Sequence, residues 1–140
     1  MNTFLVIITV LATLTFSSFT RAGNLKPFQS DGCSSFPDGT LKQKQLWLVC
    51  CTEHDKTYWI GGTYQQRVDA DEALRACVEE QGEPEIARLM LAGVRVGGTP
   101  YFPTTFRWAY GWPYFRGYKA LTDEEILEVQ SMKKKQVSNN

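Results

Sequence analysis

The chain has no excess of charge of either sign: 15 Lys and Arg stand against 15 Asp and Glu. A nucleic-acid binder needs a basic footprint, and the one cluster here is the short run Lys133, Lys134, Lys135. Nucleic acid is therefore not expected as a partner. No glycine-rich GxxxxGK(S/T) loop is present, which argues against nucleotide hydrolysis. Internal repeats and low-complexity tracts are absent. Histidine occurs once, at His54, so imidazole chemistry has a single candidate. What is present suffices for one domain: 140 residues, 43% of them apolar.

The first 22 residues are not read as fold. Phe4 to Phe19 is an uncharged apolar and hydroxyl run, followed by Thr20, Arg21 and Ala22. That pattern is a signal-peptide core ending in small residues, although Met1-Asn2-Thr3 lacks the usual basic residue. A bilayer span needs roughly 20 apolar residues, so the run is short for a membrane helix; an uncleaved anchor is the competing reading. Cleavage after Ala22 leaves residues 23–140 as a secreted or periplasmic chain.

Export makes disulfides possible. Cys33, Cys50, Cys51 and Cys77 all lie beyond the leader, and an even number in an oxidising compartment implies two bonds. A bond between neighbours Cys50 and Cys51 fits disulfide geometry poorly inside a helix. Cys33 is thus expected to bond one of that pair and Cys77 the other. A zinc site is the rival, but no C-x-x-C is present and His54 stands in no familiar zinc order.

Residues 23–39 read as irregular chain, with turns at Asp31-Gly32 and Asp38-Gly39. Thr40 and Gln43 have capping-box spacing, so a helix is expected over Leu41–Tyr58, ending at Gly61-Gly62. Thr63 and Gln66 open a second, to about Gln81. Pro84 suits the first turn of a third, Glu85 to about Val94. Thr122 and Glu125 open a last one that ends near Lys133. Between residues 99 and 119 stand nine aromatics, three prolines and two glycines, a composition against long regular structure. No strand pair is convincing. The expected fold class is mainly α: a small disulfide-linked domain with two antiparallel core helices and long loops.

The chemistry concentrates between Trp47 and Trp59. On a helix His54 and Tyr58 share a face. Cys50 and Cys51 lie on the same side, so the disulfides fasten the face that carries the imidazole. Suppose that Cys50 bonds Cys77 and that a short turn makes the two helices antiparallel. His54 then lies about 6 Å beyond Cys50, Asp71 about 9 Å back from Cys77, and Tyr58 about 12 Å along. Asp71 falls between His54 and Tyr58, within reach of imidazole and phenol. A His oriented by a buried carboxylate is a general base with a fixed tautomer. Asp55 points about 100° round the helix and cannot serve that face. With backbone carbonyls from the loop that Cys33 pins, it offers hard oxygen ligands suited to calcium. A surface His–Asp pair without function is the plainer alternative.

These residues resemble a family. Asp31-Gly-Cys33, Cys50-Cys-Thr-Glu-His-Asp-Lys-Thr-Tyr58 and Asp71-Glu-Ala-Leu-Arg-Ala-Cys77 look like secreted phospholipase A2. The chain matches every fixed position of that family's CCxxHDxxY helix motif, over a resemblance covering roughly residues 31 to 78. The resemblance implies a phospholipase A2-like fold and the pairs Cys33–Cys51 and Cys50–Cys77. It implies His54 as general base, supported by Asp71 and Tyr58, and Asp55 as calcium ligand. By position the carbonyls of Gly32, Ser34 and Phe36 complete the calcium set, with Asp38 as a substitute where the family has glycines. The short interval between His54 and Asp71 leaves no room for the β-hairpin of the animal enzymes, so the compact bacterial and fungal branch is closer. The aromatic stretch from Tyr101 to Tyr118 has no counterpart there.

The implied function is calcium-dependent hydrolysis of phospholipid esters at a membrane interface. His54 would take a proton from water while calcium on Asp55 polarises the ester carbonyl. The aromatic stretch then has two readings, an interfacial lipid contact or a core for the loops. The alternative function is a non-catalytic binding or structural protein that keeps the same disulfide frame.

Overall fold

The computed structural model describes residues 24–138; the expected leader, 1–22, lies outside the described residues. Four helices form: α1 Leu48–Ile60, α2 Tyr64–Glu80, α3 Pro84–Gly97 and α4 Asp123–Ser138. Among the described residues there is no strand, and long loops precede α1 and join α3 to α4.

Local signals place most helix ends. Thr63 Oγ1 accepts from Gln66 N–H at 3.3 Å, and Gln66 Oε1 accepts from Thr63 N–H at 2.8 Å, closing both halves of the box before α2. Thr122 and Glu125 do the same before α4, at 3.3 and 2.9 Å. Pro84 occupies the first turn of α3.

The first helix begins later than expected, at Leu48 rather than Leu41. Thr40 Oγ1 does accept from Gln43 N–H, but Thr40 N–H returns to Gln43 O at 3.0 Å and closes a tight turn. Trp47 then folds back on the preceding loop, its backbone N–H on Asp38 O and its indole on Pro37 O. Leu41 is 99% exposed, so a longer helix would have buried little apolar surface there. The last helix instead runs past Lys133 to Ser138. Val129 is buried in the core, and Gln136 Nε2 donates to Phe28 O at 3.0 Å, tying that turn down.

Two disulfides form: Cys33–Cys51 joins the preceding loop to α1, and Cys50–Cys77 joins α1 to α2. Among the described residues no cysteine is free. Each bond is worth about 2–5 kcal/mol in a small domain. Cys50 meets Cys77, His54 meets Asp71, and Tyr58 meets Arg67, so α1 and α2 run antiparallel. Around the disulfides Trp47, Leu74, Val78, Ala87 and Met90 make one core cluster, which seats α3 on α2.

A second cluster closes the other end of α1. The last carbonyls of a helix have no partner within it. Here the aromatic stretch supplies them: Ala109 N–H donates to Tyr58 O, Gly111 N–H to Trp59 O, and the Trp112 indole to Ile60 O, at 2.7, 3.2 and 2.7 Å. Trp108, fully buried, donates its indole N–H to Gly62 O at 3.0 Å. Gly61 has φ +71°, and a side chain there would collide with Ala109. The stretch divides accordingly. Trp108 and Trp112 are core, whereas Tyr101, Phe102, Tyr114 and Phe115 are exposed. No helix among the described residues is long and apolar enough to cross a membrane.

Candidate active site

The antiparallel pairing of α1 and α2 brings the single histidine onto a buried carboxylate. His54 Nε2 stands 2.9 Å from Asp71 Oδ1, and Tyr58 O–H donates to the same oxygen at 2.6 Å. Asp71 is fully buried and His54 is 8% exposed. The His54 and Tyr58 rings lie 4.1 Å apart at their centroids, one helical turn from each other. With Nε2 committed to Asp71, Nδ1 has no hydrogen-bond partner among the described residues. His54 lines a cavity of about 410 Å³. The helix arithmetic thus placed His54, Tyr58 and Asp71 together.

Two residues at this carboxylate carry no signal that the sequence reading used. Arg95, from α3, holds its Nε 3.0 Å from Asp71 Oδ2, and Arg67 Nε lies 3.8 Å from the same oxygen. Arg67 also donates to Tyr58 Oη at 3.1 Å, to Tyr118 Oη at 2.6 Å, and to the carbonyls of Val94 and Arg95. Those carbonyls belong to the last turn of α3, where a cation is favoured by the helix dipole. Arg67 precedes Asp71 by one turn on the same helix, a spacing visible in the sequence. Arg95 lies more than twenty residues away and depends on α3 packing. Burial, and then the Asp71 charge, push the Tyr58 phenol far above its ordinary range, so it stays a donor. Gly98 lets α3 end against this group, since a Cβ there would stand 2.6 Å from Tyr58 Oη.

The remaining cavity wall is apolar. Phe36, Leu74, Leu89, Met90, Val94 and Phe106 line it beside His54, Asp55 and Tyr58. Leu89, on α3, is 59% exposed. An extended hydrocarbon chain suits such a wall.

Asp55 is half-buried next to the loop fastened by Cys33–Cys51. Ser30 Oγ donates to its Oδ2 at 2.6 Å. Burial pushes its carboxyl up to about 6, with Asp31 adding to the rise, while the Ser30 bond and His54 oppose it. Among the described residues no group of three or more His, Cys, Asp or Glu side chains could hold a metal ion. A cation at Asp55 therefore needs backbone oxygens. Gly32, Ser34 and Phe36, the expected donors, line the same cavity. Within the described residues no hydrogen bond consumes their carbonyls. Gly32 and Ser34 both have positive φ, +73° and +56°, which winds the loop tightly around Cys33. One carboxylate with free carbonyls is the donor type a hard cation takes, so the residues fit calcium. At Asp38, the expected substitute ligand, Oδ1 accepts from Cys33 N–H at 2.8 Å and braces the loop.

Comparison with family models, curated proteins and solved structures gives no match.

Proposed function

We propose that the chain is a calcium-dependent hydrolase of phospholipid esters with a phospholipase A2-like arrangement, exported from the cell. The observation that carries this reading is the buried Asp71 oxygen shared by His54 Nε2 and Tyr58 Oη at the head of an apolar cavity. His54 Nδ1 faces substrate water as the general base. Asp71 fixes the tautomer and compensates the imidazolium that forms. Tyr58 and the two arginines keep that carboxylate in place. The apolar wall takes an acyl chain and excludes bulk water. Asp55, with the carbonyls of Gly32, Ser34 and Phe36, would hold calcium, which when bound supplies charge stabilisation to the developing oxyanion. The exposed aromatics Tyr101, Phe102, Tyr114 and Phe115 suit a membrane interface.

A second reading, a non-catalytic lipid-binding or structural protein, is favoured by the Ser30–Asp55 bond, which satisfies one carboxylate oxygen without any cation. Fatty-acid release from mixed phospholipid vesicles, with calcium and with chelator, separates the two. Release that chelator abolishes supports the hydrolase. Lipid binding without release supports the second reading.

A further inference from the structure

Asp55 and Phe106 also line a second cavity, of about 870 Å³, whose wall mixes charged, polar and aromatic side chains. Arg107 forms part of that wall and is only 8% exposed. Its partners are all uncharged: Nη2 donates to Trp112 O at 2.8 Å, Nη1 to Thr104 O at 3.4 Å, and the guanidinium lies 5.5 Å from the Tyr114 ring centroid. The other buried or half-buried arginines differ. Arg67 and Arg95 face Asp71, and Arg116 grips both oxygens of Glu125. A desolvated cation with no counter-charge is costly, and an anion in the adjacent space would offset that cost. Thr104 Oγ1, in the same wall, is buried without a hydrogen-bond partner. Lys26 adds a second cation.

We propose that this cavity seats the phosphate diester of the substrate head group, held by Arg107 with Lys26 and Thr104 beside it. The planar guanidinium fork matches phosphate oxygens two at a time. The proposal rests on the hydrolase reading. An acyl chain fills the apolar cavity, and Asp55 and Phe106 form the seam. The phosphate, a few bonds from the scissile ester, falls on the polar side. Asp31 repels an anion from its part of the wall, which leaves the Arg107 end.

The test is titration of the full chain with sn-glycero-3-phosphoethanolamine, a head group without acyl chains, and separately with inorganic phosphate. Calorimetry gives affinity, and NMR amide shifts give location. Shifts centred on Lys26, Thr104 and Arg107 are expected. Arg107→Gln should weaken binding about tenfold or more, with Arg107→Lys recovering part. On esters, Arg107→Gln should lower kcat/KM for phospholipid about tenfold more than for uncharged diacylglycerol. No binding, shifts confined elsewhere, binding of inorganic phosphate alone, or equal losses on both esters would overturn the subsite. Should Arg107→Gln fail to fold, the shift map of the parent protein decides. A parent protein that binds the head group at Arg107 yet hydrolyses no ester keeps the subsite and removes the hydrolase reading.

Discussion

Arg95 Nε stands 3.0 Å from Asp71 Oδ2 as an ion pair without hydrogen-bond alignment, so α3 sets a positive charge against the other oxygen of the carboxylate that orients His54 from α2. α3 also carries Leu89, Met90 and Val94 of the apolar cavity wall. The helix that would contact an acyl chain is thus linked to the proposed base through Asp71.

Arg95→Met should therefore reduce catalysis without much effect on substrate affinity. It removes one hold on Asp71 but no cavity wall. Steady-state kinetics should show kcat falling while KM stays within about twofold, and Arg95→Lys should restore part of kcat. Stability should fall by about 1–3 kcal/mol in denaturant titration, since Arg95 is partly exposed.

Tyr58→Phe affects more than Asp71. The phenol donates to Asp71 and accepts from Arg67 Nε at 3.1 Å, so its loss leaves both groups short inside the core. The variant should lose about 1–3 kcal/mol of stability. Its rate loss should be smaller than that of Asp71→Asn, because the His54–Asp71 bond survives. Denaturant melts and fatty-acid release on the same preparations check this order.

Removing Cys50–Cys77 by a double Cys50→Ala, Cys77→Ala change should cost about 2–5 kcal/mol and uncouple α1 from α2. The His54–Asp71 register depends on that bond. Activity should consequently decline before global unfolding as temperature rises, measured by parallel activity and circular dichroism melts.

Asp55 sets a pH dependence. Burial raises its carboxyl to about 6 from 3.8, so the folded state penalises the charged form. In cation-free protein this contribution is fully favourable below about pH 4 and is lost as pH rises through about 6. Thermal melts with chelator should show the parent losing stability relative to Asp55→Asn over that window. Calcium reverses the sign at neutral pH by binding the charged form, so its affinity should rise up to about pH 6 and then level. Asp55→Asn should abolish calcium binding, read by calorimetry.

The sequence made some of this legible and not the rest, for physical reasons. His54, Tyr58, Asp71 and the cysteines sit on two adjacent helices joined by a short turn, so fixed rise per residue sufficed to align them. The boxes at Thr63 and Thr122 formed with both reciprocal bonds in place. The box at Thr40 closed a turn instead, because the Trp47 indole and backbone were claimed by Pro37 and Asp38. Arg95 and the Trp108–Trp112 cap on α1 depend on tertiary contacts between distant segments, which no local pattern encodes.

His54 is the proposed base of an ester hydrolase. The direct measurement is fatty-acid release by His54→Gln and by the parent, at saturating calcium, with circular dichroism confirming both folds. Among 140 residues no second histidine exists to take over. General-base catalysis contributes about 10²–10⁴-fold, so the variant should lose at least about a hundredfold in kcat. Release by a folded His54→Gln protein at the parent's rate would contradict the account.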